Sequence, residues 1–324
     1  MKKTLLLSLF LCTSLCLTAC NQFKHEEAND IEKEAIENET PVSETPDVSE
    51  DESNESDTTF ASDERIFSHK DKYTTDLYNL LASLPEEKPE SSLKQSDVEC
   101  DTLQWFNATY AMFTYDSDGD YHLVGGYSDE SGYVDSYVTN GLEQSWGITD
   151  RVSAISSLAW LAIEGHASGY VEMIQTMEQL ELLDYSESDL RTQTAALAQL
   201  AELSEEESTQ LVEYYVLLKN VYDTCGENGI DAWDYCRIMQ ISGSCYYAGY
   251  ITLEECLTIQ LATATAIQDE FDSWEAMNAS YLEGYGFWYP SAAIYREWAY
   301  QKLQDEEDCP FETLDFNMKL EKFW

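Results

Sequence analysis

The chain has 324 residues, with 63 acidic side chains against 17 basic ones and a formal net charge of −46. Its 44% hydrophobic and 13% aromatic content, including 22 Tyr and 8 Trp, supplies a core and excludes a wholly disordered chain. Acidity on this scale excludes the basic patch that nucleic acid binding needs, and it argues against electrostatic docking on anionic lipid.

The N-terminus reads as a targeting segment. Lys2 and Lys3 precede an apolar run from Leu5 to Leu17, which is short of the roughly 20 residues a membrane span needs and suits a signal peptide. Leu17-Thr18-Ala19-Cys20 has the form of a bacterial lipobox, whose cysteine thiol takes a diacylglycerol before cleavage. The expectation is a signal peptide over 1–19 and a lipidated Cys20. The protein is then extracytoplasmic, held at the cell membrane or outer envelope by acyl chains worth about 0.8 kcal/mol per buried methylene. Residues 21–60 hold 14 Asp/Glu and two Lys, with Pro41, Pro46 and many Ser, Thr and Asn. With few residues able to build a core, 20–60 reads as a disordered, self-repelling tether.

Residues 61–324 read as a single all-α, multi-helix domain. No proline falls between 90 and 289, so long helices are permitted. Leu77, Leu80, Leu81 and Leu84 share a helical face within 73–84, and Leu103, Phe106, Tyr110 and Phe113 repeat at helical spacing. Asp116-Ser117-Asp118-Gly119-Asp120 breaks the pattern as a polar turn; its Gly and Glu positions do not fit a calcium loop. Tyr121 to Tyr127 is the only stretch that suggests strand alternation. An apolar helix spans 152–163, with Thr149 as its candidate N-cap. Ser204–Glu207 and Thr252–Glu255 are capping boxes, opening helices to about Asp223 and Glu270. Ser273 caps a helix through Glu283, and Ser291 one through Gln304.

Three stretches carry a family resemblance. The first is Ser145-Trp146-Gly147-Ile148, followed by a helix and Gly165-His166. The second is Ala232-Trp233-Asp234-Tyr235-Cys236-Arg237, then Ala248-Gly249-Tyr250-Ile251-Thr252 and Glu255. The third is Ser273-Trp274-Glu275, then Ser280-Tyr281-Leu282-Glu283-Gly284 and Trp288. Their order and spacing resemble the DUF1266 family of bacterial domains of unknown function, over about 100–290. Family members often carry a basic residue directly after the glycine of the third stretch, where this chain has Tyr285. The resemblance implies a shared fold and brings no reaction, cofactor or catalytic residue.

The same residues can be read physically. Asp234 and Arg237 lie three apart on a predicted helix and can pair on one face, either as an anion clamp or, by preference, as an ion pair that ties helices together. His166 follows Gly165 where an apolar helix ends; it caps the last carbonyls or, as the best acid–base candidate, acts as a base. Trp274, Tyr281, Tyr285 and Trp288 form an aromatic group, which packs helices or stacks on a glycan. Cys100, Cys225, Cys236, Cys245, Cys256 and Cys309 follow the lipobox without any C-x-x-C pair, so no zinc or thioredoxin motif is present. They are either disulfide-bonded or buried thiols. No nucleophile elbow, zinc helix, phosphate loop or dinucleotide fingerprint occurs, so neither cofactor nor metal is expected. The functional expectation is a non-catalytic binding or interaction module tethered to the membrane, with a protein or glycan ligand. The alternatives are an acidic protective or inhibitory partner of a basic protein, and an extracytoplasmic enzyme using His166 with Glu164 or Asp234.

Overall fold

The computed structural model describes residues 70–324 apart from 99, 129–133, 227–228 and 290–292, and the side chains from 75 onward apart from 134–136. The leader, Cys20, the acidic stretch to residue 60 and the cap at Ser291 lie outside the described residues. The described residues form an all-α domain with no strand among them. In chain order the helices are α1 Lys70–Ala82, α2 Asp101–Ala108, α3 Ala111–Asp116, α4 Val134–Trp146, α5 Arg151–Ile163, α6 Ala167–Gln179 and α7 Glu187–Leu200. They continue with α8 Glu205–Cys225, α9 Asp231–Tyr247, α10 Leu253–Glu270, α11 Trp274–Trp288, α12 Ala293–Gln304 and the short α13 Pro310–Thr313.

The helix signals act through identifiable atoms. Ser204 accepts from Glu207 N, and Thr252 accepts from Glu255 N, each completing its capping box. Ser273 caps α11 through Ala276 N. The cap of α5 is Asp150 rather than Thr149: its carboxylate accepts from Ser153 N at 2.8 Å, and the Ser153 hydroxyl reaches back. The charged oxygen is the better acceptor for an early backbone N–H. The alternation at 121–127 resolves into turns and a 3-10 segment, Val124–Gly126. α11 runs past Glu283 to Trp288, because Gly284 is kept for packing rather than as a stop.

α9 is the axis of the molecule. Twelve of its 17 residues are buried, as expected of a helix apolar on all sides. It packs against α4, α5, α6, α10 and α11. Gly284 allows the contact with α11: a Cβ there would sit 2.4 Å from Trp233 Cβ. The main core joins α1–α5, α9–α12 and the C-terminal tail. A second hydrophobic cluster lies among α6, α7 and α8, centred on Tyr170, Met177, Leu190 and Leu218. Phe287 of α11 reaches into it against Tyr170 and Tyr214.

The six cysteines are free thiols. Burial pushes the thiols of Cys225 and Cys256 up to about 12, which keeps them protonated and unreactive.

Candidate functional site

One part of each sequence stretch, Trp146 with His166, Trp233 to Arg237, and Trp288, meets where α4, α5, α9 and α11 converge on the start of α6. The turn after α5 begins it. Gly165 has φ +55, and a Cβ there would come within 2.2 Å of Asp234 Oδ2, so a glycine is needed for both conformation and space. His166 follows as the N-cap residue of α6, without a side-chain cap of its own.

Asp234 supplies the cap from α9. Its Oδ1 accepts from His166 N at 2.9 Å and its Oδ2 from Ala167 N at 2.8 Å. Oδ1 also meets His166 Nδ1 at 3.0 Å. Asp234 is 2% exposed, so these bonds replace the water of its carboxylate. Sequence spacing directs Asp234 toward Arg237 and His166 toward the carbonyls ending α5. The structure directs Asp234 to His166 and to the N-terminus of α6, where a negative charge complements the helix dipole. A residue 68 positions away is the nearer partner because α9 crosses the α5–α6 turn.

Arg237 lies one turn further along α9, with its guanidinium carbon over the Trp233 ring, 4.1 Å from the centroid. Trp146 and Trp288 stand at 5.2 and 5.3 Å from it. His166 meets the same three indoles and Trp160 edge-on, at 5.2 to 6.3 Å between centroids. Four tryptophans from four helices thus surround one imidazole and one guanidinium. Trp160 is fixed by its own N–H, which donates to Glu164 at 3.0 Å.

These groups line a cavity of about 540 Å³, a size typical of small-molecule sites. Trp146, Trp160 and Trp288 are its walls, and His166, Arg237 and Ser157 are half-buried within it. Glu143, Gln144, Ser145 and Ser156 are exposed, at its mouth. Asp234 lies buried behind His166. The arrangement offers flat apolar faces, a planar cation, an oriented imidazole and several hydroxyls. Among the described residues, no group of three or more His, Cys, Asp or Glu could hold a metal ion.

The aromatic group expected from sequence divides. Trp288 lines the cavity. Tyr281, 2% exposed, lies under Trp233 at 5.4 Å between centroids. Tyr285 is half-buried against Trp233, and the buried Arg296 guanidinium stands over its ring at 4.8 Å. Arg296 comes from α12 and also meets Asp116 at 3.3 Å. Burial pushes the phenols of Tyr281 and Tyr285 up against the pull of Arg296, so both stay protonated. Trp274 is elsewhere, in the core with Trp105, Phe311 and Phe316.

Sequence spacing missed the strongest ion pair. Arg151 forks onto Glu255, with Nη2–Oε1 at 2.7 Å and Nη1–Oε2 at 2.9 Å. Its remaining donors reach the carbonyls of Pro85 and Tyr250. Both side chains are at most 10% exposed. The capping box explains Glu255, but nothing in the chain pairs it with a residue 104 positions earlier. Trp160, Ser156 and Ser157 were likewise missed, since each reads as an ordinary residue of an apolar helix.

Comparison with known proteins follows the same stretches. Two uncharacterised proteins of Escherichia coli (strain K12) are similar to this chain. YbeR is 27% identical over 150 residues, 45% of this chain and 56% of the relative. YbeU is 25% identical over 150 residues, 46% and 57% of the two chains. The chain thus spans little more than half the length of these curated relatives. No solved structure matches it. Residues 141–316 match the family model described as a protein of unknown function, DUF1266, and the chain belongs to that bacterial family.

Proposed function

We propose that this protein is a lipid-anchored, extracytoplasmic binding module whose ligand is a small organic molecule held in the tryptophan-lined cavity. One observation carries this reading. Stretches scattered from Trp146 to Trp288 put indole faces, an imidazole and a guanidinium around a single cavity of about 540 Å³. A packing solution alone fills such a space, whereas indole walls with a few convergent polar groups are the usual make-up of a ligand site. The lipobox at Cys20 and the acidic stretch behind it supply the anchor and the reach.

A thermal-shift screen of the full-length chain against a broad metabolite library tests the binding reading. Ligands that raise the midpoint for wild type and lose that effect in Trp288→Ala are expected. A library without hits, or hits indifferent to Trp288→Ala, overturns it. The anchor has its own test: Cys20→Ala should move the protein from the membrane fraction to the soluble fraction, and an unchanged distribution counts against lipidation.

A second reading has a specific observation behind it. Asp234 orients His166 through Nδ1 at 3.0 Å, which is how a general base is held. Turnover of a bound ligand that is lost in His166→Gln with binding retained would favour an enzyme.

A further inference from the structure

The hydrogen bonding around His166 and Arg237 points to the chemistry of the ligand; this step rests on the binding reading above. A carboxylate accepts hydrogen bonds and does not donate them, so the bond between Asp234 Oδ1 and His166 Nδ1 puts the ring proton on Nδ1. In the neutral ring Nε2 is then an acceptor, ready for a donor on the ligand. Arg237 lines the same cavity with its guanidinium carbon over the Trp233 ring, and a planar guanidinium matches a carboxylate. Both groups contact Trp146, Trp233 and Trp288, so acceptor and cation are neighbours in one cage. The cage is walled by flat apolar faces. At the mouth stands the exposed carboxylate of Glu143, which repels an acid group left at the entrance.

We infer that the ligand is a flat, ring-bearing organic acid that enters acid end first and carries a hydrogen-bond donor beside its carboxylate. The carboxylate sits on Arg237, the neighbouring donor meets His166 Nε2, and the ring lies against Trp146, Trp160 and Trp288. The site holds two adjacent polar contacts of opposite sense, which an α-hydroxy or α-amino acid presents on neighbouring carbons.

Three matched probes test this by calorimetry on the full-length chain: indole-3-propionamide, indole-3-propionate and indole-3-lactate. A charge-assisted bond predicts the propionate tighter than the amide by on the order of tenfold. The added hydroxyl predicts the lactate tighter again by roughly fivefold. Arg237→Met should bring acid and amide within about twofold of each other, and His166→Phe should close the gap between propionate and lactate. The wild-type order needs no variant, so a poorly folding mutant leaves the test intact. An amide that binds as well as the acid overturns the role of Arg237, and a lactate no tighter than the propionate overturns the role of Nε2. If none of the three binds while the library screen yields ligands sensitive to Trp288→Ala, this ligand class is wrong and the binding reading survives.

Discussion

Two groups of tryptophans in this protein do opposite things with the same side chain. Trp105, Trp274 and Trp324 hold the C-terminal tail. Trp105 Nε1 donates to Phe316 O at 3.0 Å, Trp274 Nε1 to Leu314 O at 2.9 Å, and Trp324 Nε1 to Thr258 Oγ1 at 3.1 Å. The rings of Trp105 and Trp274 pack against each other with centroids 5.0 Å apart, and both pack against Phe316, while Trp324 packs edge-on against Phe106. Around His166 the indoles present faces to an imidazole, a guanidinium and a cavity, and the buried Trp233 Nε1 has no hydrogen-bond partner. In the first group the indole N–H groups tie chain segments together across filled space, whereas Trp146, Trp160 and Trp288 of the second line a cavity. Residue type and burial alone do not distinguish the two groups. What the indole N–H and the ring face meet does.

The sharpest way to break this comparison is to truncate one tryptophan from each group. Trp274→Ala removes a buried indole and its bond to the tail, and should lower unfolding free energy by about 3–5 kcal/mol in urea denaturation. Trp288→Ala, at a half-buried cavity wall, should cost only about 1–2 kcal/mol while abolishing ligand binding. Equal losses from both would make the cavity group a second clamp.

Asp234 gives the next largest effect. Replacing it by Ala strands His166 N and Ala167 N inside the protein, and should cost about 3 kcal/mol. Gly165→Ala attacks the same contact from the other side, through its φ of +55 and a Cβ that would collide with Asp234. It should cost about 2 kcal/mol. A melt of both variants and the double mutant separates them: losses well short of additive are expected, because each disrupts the same turn.

Much of the fold could be read from the chain, and the site only in pieces. The capping boxes at Ser204 and Thr252 are local, since cap and partner lie three residues apart, and both appear as expected. The three stretches were visible as well, and a part of each meets at the cavity, while Trp274 and Glu255 serve the core elsewhere. Who pairs with whom was not visible. Asp234–His166 and Arg151–Glu255 depend on how α9 and α10 cross distant turns, and helical spacing speaks only for neighbours on one helix. The split of Trp274 from Trp288 has the same cause. They begin and end one helix, so its two ends serve different parts of the molecule.

Arg237→Ala discriminates between the sequence reading and the structure. A buried ion pair with Asp234 would predict a loss of about 3–5 kcal/mol. A half-buried guanidinium stacked on Trp233 predicts less, about 1–2 kcal/mol, from lost cation–π contact and covered apolar surface. A thermal melt of wild type against Arg237→Ala decides, with a small shift placing Arg237 among groups kept for the ligand.

The smallest effect belongs to the clamp and depends on pH. Asp308 joins the stretch before α13 to the turn after α3, accepting from Tyr121 Oη at 2.8 Å and meeting His122 Nε2 at 2.9 Å. The bonds from Tyr121 and His122 hold its carboxyl below the ordinary carboxylate value. A folded pKa below the unfolded one stabilises fully above the unfolded value, about 3.9, and the contribution disappears as pH falls through the folded value. The indole-to-carbonyl bonds of the tail do not titrate. Hydrogen exchange in the tail should therefore be faster in Asp308→Asn than in wild type near neutral pH, and the gap should begin to close as pH falls below about 4, vanishing through the folded value. The factor is small because the pair is exposed to solvent. A gap that does not shrink as pH falls below the ordinary carboxylate value would mean that Asp308 acts through packing, and that the tail is held by its tryptophans without help from charge.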